Sequence, residues 1–480
     1  MTAATAALDP GPTPGPGSGA DADDTVTVSW ADFRAWERQL TTCTHPIRLR
    51  GRIDAIDLAT GELAPVYTTT GEPDGLLHVA CGNRRETVCP ACSAVYKRDA
   101  RQLVRAGLAG GKGIPETIAA HPCVFATLTA PSFGPVHARR MRGKTALPCR
   151  PRRDAHARRC PHGRDISCPT RHVEADPRLG QPMCPDCYDN EAAVLFNAYA
   201  GGLWRRFITY LPRHLARLAG ITQKELFAQL RIRFVKVAEY QARGVVHFHA
   251  VIRLDAPGED YQPPPPAYTH GLLCDAIGQA AAAVALPAGH HDQAVMLGFG
   301  PQTDRRPLRR DTIVSTGKPL DAEAVANYIA KYATKTLTAP GVPDTRIRHA
   351  SEIGGLRCSA HYRAMITTAW ELGARQATGD ARFRQLAHML GYGGHFLTKS
   401  RRYSVTFGQL RAARTSYRRA QRHPGGERDP WGRPLDETVV LILTTWTYAG
   451  TDYSTATPGA ELAEASAARA REHHEQAAAQ

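Results

Sequence analysis

Long apolar runs are missing from this sequence. Nothing in its 480 residues approaches the ~20 consecutive apolar positions of a membrane span, and the first residues lack the apolar core of a signal peptide. A membrane partner is therefore not expected, and a cytoplasmic protein is. No internal repeat is visible, so no stacked-repeat architecture is expected. Acidic residues are the scarcer charge: 45 Asp+Glu stand against 60 Lys+Arg, leaving a net charge of +15. That balance favours a polyanionic partner. The hydrophobic share of 42% is ordinary for a globular chain. The length allows roughly two to four domains with a sizeable core.

Cysteine is not scarce. Twelve are present, several in tight clusters, including CPAC at 89–92 and CPDC at 184–187. In a long intracellular chain such spacing points to zinc rather than to disulfides. CGNRRETVCPAC brings Cys81, Cys89 and Cys92 within twelve residues. A fourth ligand is then needed for tetrahedral zinc. Cys43 is the first choice, with His45 and His78 as alternatives. Arg84 and Arg85, inside this knuckle, suggest a phosphate-facing surface. A second cluster holds Cys149, Cys160, His162, Cys168, Cys184 and Cys187. Its CPHGRDISC…CPDC pattern resembles a zinc ribbon, with Cys160, Cys168, Cys184 and Cys187 as the expected four.

The stretch with the most chemistry is VKVAEYQARGVVHFHAVI at 235–252. Two β-branched and aromatic runs flank QARG, whose Gly244 suits a turn, so a β-hairpin is expected. His247 and His249 are two apart and leave a strand on one face, with Phe248 on the other. Glu239 folds back beside them. Two imidazoles and a carboxylate suit a divalent cation with open positions for substrate. Further on, ANYIAKYATK at 326–335 reads as a helix. Tyr328, Lys331, Tyr332 and Lys335 fall at i, i+3, i+4 and i+7 and form one stripe. VFATLTAPS at 124–132 reads as a strand preceding both.

These three motifs, in this order, resemble the endonuclease superfamily named for a His-hydrophobic-His strand, which nicks single-stranded DNA with tyrosine. The signatures CGNRR…CPxC, EYQARGVVHFHAV, NYIAKYATK and LGYGGHFLTKSRRYS together look like the rolling-circle replication initiators of actinobacterial plasmids and integrative elements. The resemblance implies a compact antiparallel sheet with the metal strand central and the tyrosine helix beside it. It implies Mn2+ or Mg2+ at Glu239, His247 and His249. It further implies attack by Tyr332 first, with Tyr328 as a second nucleophile, aided by Lys331 and Lys335. The products would be a 5′-phosphotyrosine and a free 3′-hydroxyl primer. A two-tyrosine transposase and a non-enzymatic zinc-containing DNA-binding regulator are the alternative readings. Single-stranded and duplex origin DNA are the expected partners. No helicase-type phosphate loop is evident, so a host helicase is expected beside a host DNA polymerase.

The expected fold class is α+β: an antiparallel-sheet nuclease domain with flanking helices, zinc-binding modules and a mainly helical basic carboxy-terminal region. Residues 1–25, rich in Ala, Pro, Gly, Thr and Asp, read as a disordered tail. Residues 26–110 read as a zinc-binding module opening with a helix near 32–40. Residues 111–345 form the nuclease domain, with the zinc-ribbon insertion at about 145–190. Helices are expected over 190–218, 271–286, 321–336, 359–372 and 380–390. Residues 346–450 are the basic DNA-binding region, in which Lys399, Arg401, Arg402 and Arg411 are the candidate phosphate contacts. A strand is expected at 439–446 and a flexible tail over 451–480.

Overall fold

The computed structural model describes residues 26–27, 43–72, 74–151, 159–258, 260–288, 295–308, 322–334, 345–375, 382–422, 424–426, 428–434, 440–453, 464 and 467–468. The expected tail over 1–25, the helix near 32–40 and Lys335 lie outside these residues, as does the expected tail over 451–480 apart from 451–453, 464 and 467–468. The chain is a mixed α+β structure divided into two compact bodies.

The smaller body joins residues 46–80 to 418–454. Its sheet contains β1 (Val26–Thr27), β2 (Ile47–Asp57), β3 (Leu63–Thr68), β4 (Leu77–Val79) and a last strand, Val440–Thr451. That last strand pairs with β2 along its whole length, from Val440 opposite Asp57 to Thr451 opposite Ile47. Ile53, Ala55, Val440 and Ile442 form its small core. Arg433 pairs with both Asp57 and Asp429.

The larger body is organised by a five-stranded antiparallel sheet. Its order is β12 (Thr303–Pro307), β5 (Cys123–Leu128), β9 (Val246–Asp255), β8 (Arg231–Tyr240) and β13 (Leu397–Lys399). Hairpins β6 (Arg140–Arg142) with β7 (Thr145–Leu147), and β10 (Leu286–Ala288) with β11 (Val295–Leu297), lie outside it. The central strand β9 is covered on both faces, which explains why VHFHAVIRLD is nearly all buried. Phe248, Ala250, Ile252 and Leu254 face one core with helices α2 (Asn190–Leu218) and α4 (His270–Ala283); α3 (Gln223–Gln229) adds Leu226. Val235, Val237, Val251 and Phe125 face a second core with α1 (Pro90–Ala109) and α5 (Ala322–Thr334). The metal-type side chains leave this second face.

Helix ends follow the sequence. Asp189 caps α2, Thr269 caps α4, and Thr222 with Glu225 forms a capping box on α3. Pro212 sits inside α2 without ending it. Helix α6 (Ala360–Leu372) is capped by Ser359, as its sequence predicts. The helix expected at 380–390 is not formed: residues 382–390 make turns and a short 3-10 segment at Ala387–Met389.

The bodies cut across the expected domain boundaries. Cys81–Cys92 and α1 belong with the large sheet rather than with a separate module over 26–110. Residues 346–417 are no separate region either. Leu397–Lys399 is an edge strand of the same sheet, and Tyr403 is fully buried against α1. Helix α7 (Phe407–Arg422) starts on α1, with Phe407 stacked on Tyr96 and Arg414 paired to Asp99. The carboxy-terminal strand, β14, is a partner of β2 rather than part of a helical region.

The β8–β9 turn is fixed from outside. Gln241 N–H donates to Val245 O (2.9 Å), Gly244 N–H donates to Gln241 O (2.8 Å), and Gly244 has φ +73. Fully buried Asn197 on α2 donates to Gly244 O (2.9 Å) and Leu390 O (3.0 Å) and accepts from Val246 N–H (2.9 Å). Asn197→Ala leaves these buried backbone groups without that partner, at about 1–3 kcal/mol for each one left unsatisfied. Urea unfolding of the variant is expected to show a loss of at least that size; an unchanged midpoint would remove Asn197 from this role.

Candidate metal centre and tyrosine pair

Glu239 and His247 are directly opposed in the β8–β9 ladder, and His249 lies two residues on. This register brings Glu239 Oε2 to 3.1 Å from His247 Nε2 and 3.3 Å from His249 Nε2. The two Nε2 atoms are 3.2 Å apart. Ligand atoms at ~2.1 Å from an octahedral cation are about 3 Å from each other, so the three atoms fit the edges of one coordination shell.

The strand read from VFATLTAPS has a defined task. Thr127 pairs with His249 across β5–β9, and its Oγ1 is 3.0 Å from His249 Nδ1. A proton on Nδ1 donated to Thr127 leaves the Nε2 lone pair facing Glu239 and His247. Phe125 stacks on the same imidazole, with ring centroids 5.8 Å apart. Burial pulls the His249 pKa below its ordinary value, against the opposing pull of Glu239. The neutral form that ligates a cation is thereby favoured. Sequence reading assigned no role to Thr127.

Both tyrosines reach this group from α5. Tyr328 Oη is 3.2 Å from His249 Nε2. The Tyr332 ring lies along the same imidazole at 5.9 Å and 4.5 Å from the Tyr328 ring. Both rings named from the sequence are thus brought to the His249 imidazole. Burial raises both phenol pKa values above the usual range, and the Glu239 charge adds to this. Arg306 opposes the shift at Tyr328. Lys331 is exposed, with Nζ 5.9 Å from the Tyr332 ring centre.

Helix α5 is held by the first cysteine group. Cys43, Cys81, Cys89 and Cys92 converge, with Sγ atoms 3.7 Å apart for Cys81–Cys92 and 3.8 Å for Cys89–Cys43. Two sulfurs bound at ~2.3 Å to a tetrahedral zinc stand about 3.8 Å apart. Cys43 therefore completes the set, and His45 and His78 do not enter it. The hydrogen bond with Cys81 holds the Cys43 thiol down at about 7. Arg84 of this knuckle turns inward, contrary to the expected phosphate-facing role. It donates to Ala333 O (3.1 Å) at the end of α5 and covers the Phe396 ring at 4.2 Å. Arg101 and Arg105 of α1 pair with Glu323 of α5.

The second cysteine cluster is partitioned differently from the expected four. Cys160, Cys184 and Cys187 meet His162, whereas Cys168 meets His137, Cys149 and His172. A ribbon of four cysteines cannot form because Cys168 pairs through Arg150 with the segment that carries Cys149. The pairs Cys160-x-His162 and Cys168-x3-His172 were the available signal in the sequence.

Of the candidate phosphate contacts, Arg401 and Arg411 are exposed. Arg402 donates to Gly258 O (3.1 Å). Lys399 is turned onto the carbonyls of Arg401 and Ser404, each at 2.9 Å, and burial lowers its pKa to about 8. Lys399 is therefore a loop tie rather than a presented cation.

At the turn end of the sheet lies an open cleft of about 1000 Å³. Gln241 and Arg243 of the turn line one side, and Arg139, Arg140 and Arg150 of the insertion line another. Gly180 of the insertion, at φ +81, lies against the Ala242 backbone, where a Cβ would clash.

A family model described as RepSA, replication initiator protein of pSAM2, matches residues 29–468. A protein of Streptomyces ambofaciens named replication initiator protein is 42% identical over 450 residues, 91% of this chain and 90% of that relative. No solved structure matches the chain.

Thr127→Val removes the partner of His249 Nδ1 while keeping its shape. Titration with Mn2+ followed by electron paramagnetic resonance is expected to show affinity about 10–100-fold weaker. His249→Ala is expected to abolish it. Equal affinity in Thr127→Val would mean that the hydroxyl does not orient the imidazole.

Proposed function

From the premise that this chain belongs to the pSAM2-type replication initiator family, we propose that it starts rolling-circle replication by nicking one DNA strand at the origin. The observation that carries the reading is the Tyr328 hydroxyl at 3.2 Å from a ligand-type nitrogen of the Glu239–His247–His249 group. Family membership sets the transposase reading aside.

Glu239, His247 and His249 would hold Mn2+ or Mg2+, with two imidazoles tilting the choice toward Mn2+. Such an ion supplies polarisation of the scissile phosphate and offsets charge in the transition state. The chain's own residues do the rest. Thr127 keeps His249 in the tautomer that points Nε2 into the site. The elements around α5 hold the phenols at that group: Arg84 at the end of the helix and Arg101 and Arg105 at Glu323. The cysteine group 43–81–89–92 acts as a structural zinc centre that fixes Arg84.

A tyrosine Oη attacks phosphorus in line and loses its proton. The P–O3′ bond breaks, and the departing 3′-oxygen takes up a proton to become the primer hydroxyl. The strand's 5′ end remains as a phosphotyrosine ester, which conserves the bond for rejoining. Raised phenol pKa values mean that both tyrosines are protonated until substrate and cation are present. Two phenols one helical turn apart support two successive transfers, with Lys331 close to Tyr332 and Lys335 four residues after Lys331 in the sequence. The arginine-lined cleft suits a single strand. Arg401, Arg402 and Arg411 are retained as candidate duplex contacts; Lys399 is not.

Incubating the protein with Mn2+ and labelled single-stranded origin DNA is expected to give a covalent adduct. Tyr328→Phe/Tyr332→Phe is expected to reduce the adduct to background while binding to the origin persists. An adduct of undiminished yield in that double variant would overturn the assignment.

A further inference from the structure

We infer that the insertion between β5 and α2 contains two interleaved zinc centres, one of them at His137, Cys149, Cys168 and His172, so that the chain carries three structural zinc ions. The ligands alternate along the sequence. His137–Cys149 and Cys168–His172 build one centre, while Cys160–His162 and Cys184–Cys187 build the other. The first and third pairs thus close around the second, and the second and fourth around the third. This is a cross-brace, in which neither loop opens while the other ion is held.

The interatomic distances carry the assignment. For a tetrahedral zinc with Zn–N of ~2.05 Å and Zn–S of ~2.3 Å, two nitrogens lie about 3.3 Å apart and nitrogen and sulfur about 3.5 Å. His137 Nδ1 is 3.3 Å from His172 Nε2, and His172 Nε2 is 3.5 Å from Cys168 Sγ. Ala138 N–H donates to Cys149 Sγ at 3.2 Å, a contact suited to a thiolate. His172 has the outer partner typical of a ligating imidazole. Asp176 Oδ2 lies 2.7 Å from its Nδ1, and Arg178 in turn grips Asp176 through Nε and Nη2. That chain leaves Nε2 as the metal-facing atom.

Burial gives the second, independent argument. Among the described residues from 134 to 187, the buried ones are Cys149, Cys160, Cys168, His172, Gly180 and Cys184. Five of these six are ligands, and none is a large apolar side chain. The segment's described residues form no hydrophobic core of their own to offset the entropy of ordering them, so the ions must do so. The same segment sets Arg139, Arg140 and Arg150 along the cleft.

The test counts ions in the 480-residue chain and does not depend on DNA cutting. The His247→Ala/His249→Ala chain is used so that a cation at the Glu239–His247–His249 group is not counted. Native mass spectrometry is expected to find three zinc ions per chain. Cobalt substitution is expected to give thiolate charge-transfer absorbance for nine cysteines, from centres of four, three and two thiolates. Cys149→Ser/His172→Ala is expected to lose one ion outright and to transfer the Cys160-centre ion faster to a chromophoric chelator. Two zinc ions in the parent chain, with absorbance for seven thiolates, would overturn the inference whether or not the double variant folds.

Discussion

The register of one β-hairpin governs the chemistry of this protein. Glu239 meets His247 only because β8 and β9 pair with the turn closed at Gln241–Val245. Side chains alternate with a period of two, so a slip by one residue would send both imidazoles into the Phe248 core. Asn197, itself without solvent exposure, anchors that turn to α2 and to Leu390. A buried Arg253–Asp255–His121 group fixes the other end of β9 to β5's neighbourhood. Lys236 stays on the opposite face, over the Phe248 ring, where burial lowers its pKa to about 7.

The tyrosines reach that register through a chain of rigid supports. The Cys43 group shapes the knuckle, the knuckle aims Arg84, and Arg84 ends α5 at Ala333. Helix α1 holds the start of α5 through Glu323. Histidines and phenols distant in sequence therefore meet because two helices and a metal-type knuckle are clamped to one sheet face. Aromatic packing finishes the job: Phe125 meets both His249 and Tyr328.

Local signals in the sequence carried the hairpin, α5 and the FATLT strand, since each depends on near-neighbour periodicity and turn chemistry. They also put Cys43 forward, beside His45 and His78, as the fourth member of the first cysteine group, and the fold brings Cys43 to it. Pairings set through space were not legible. Cys168 could not be separated from Cys160 by spacing, because interleaved ligands look like one cluster along the chain. Arg84 and Lys399 read as surface cations, yet both are turned onto carbonyls by tertiary packing. The two bodies divide the chain differently from the limits read in the sequence, because nothing near residues 47–57 announces that their partner lies at 440–451.

That last pairing bears on how the chain acquires its shape during synthesis. Strand β2 emerges roughly 400 residues before β14, its longest partner. At about 5–20 residues per second, the interval is on the order of tens of seconds. Throughout it, one flank of β2 offers unsatisfied backbone groups to any passing strand. The alternating arginines Arg48, Arg50 and Arg52 put like charges along that strand, a pattern that disfavours edge pairing with a second copy.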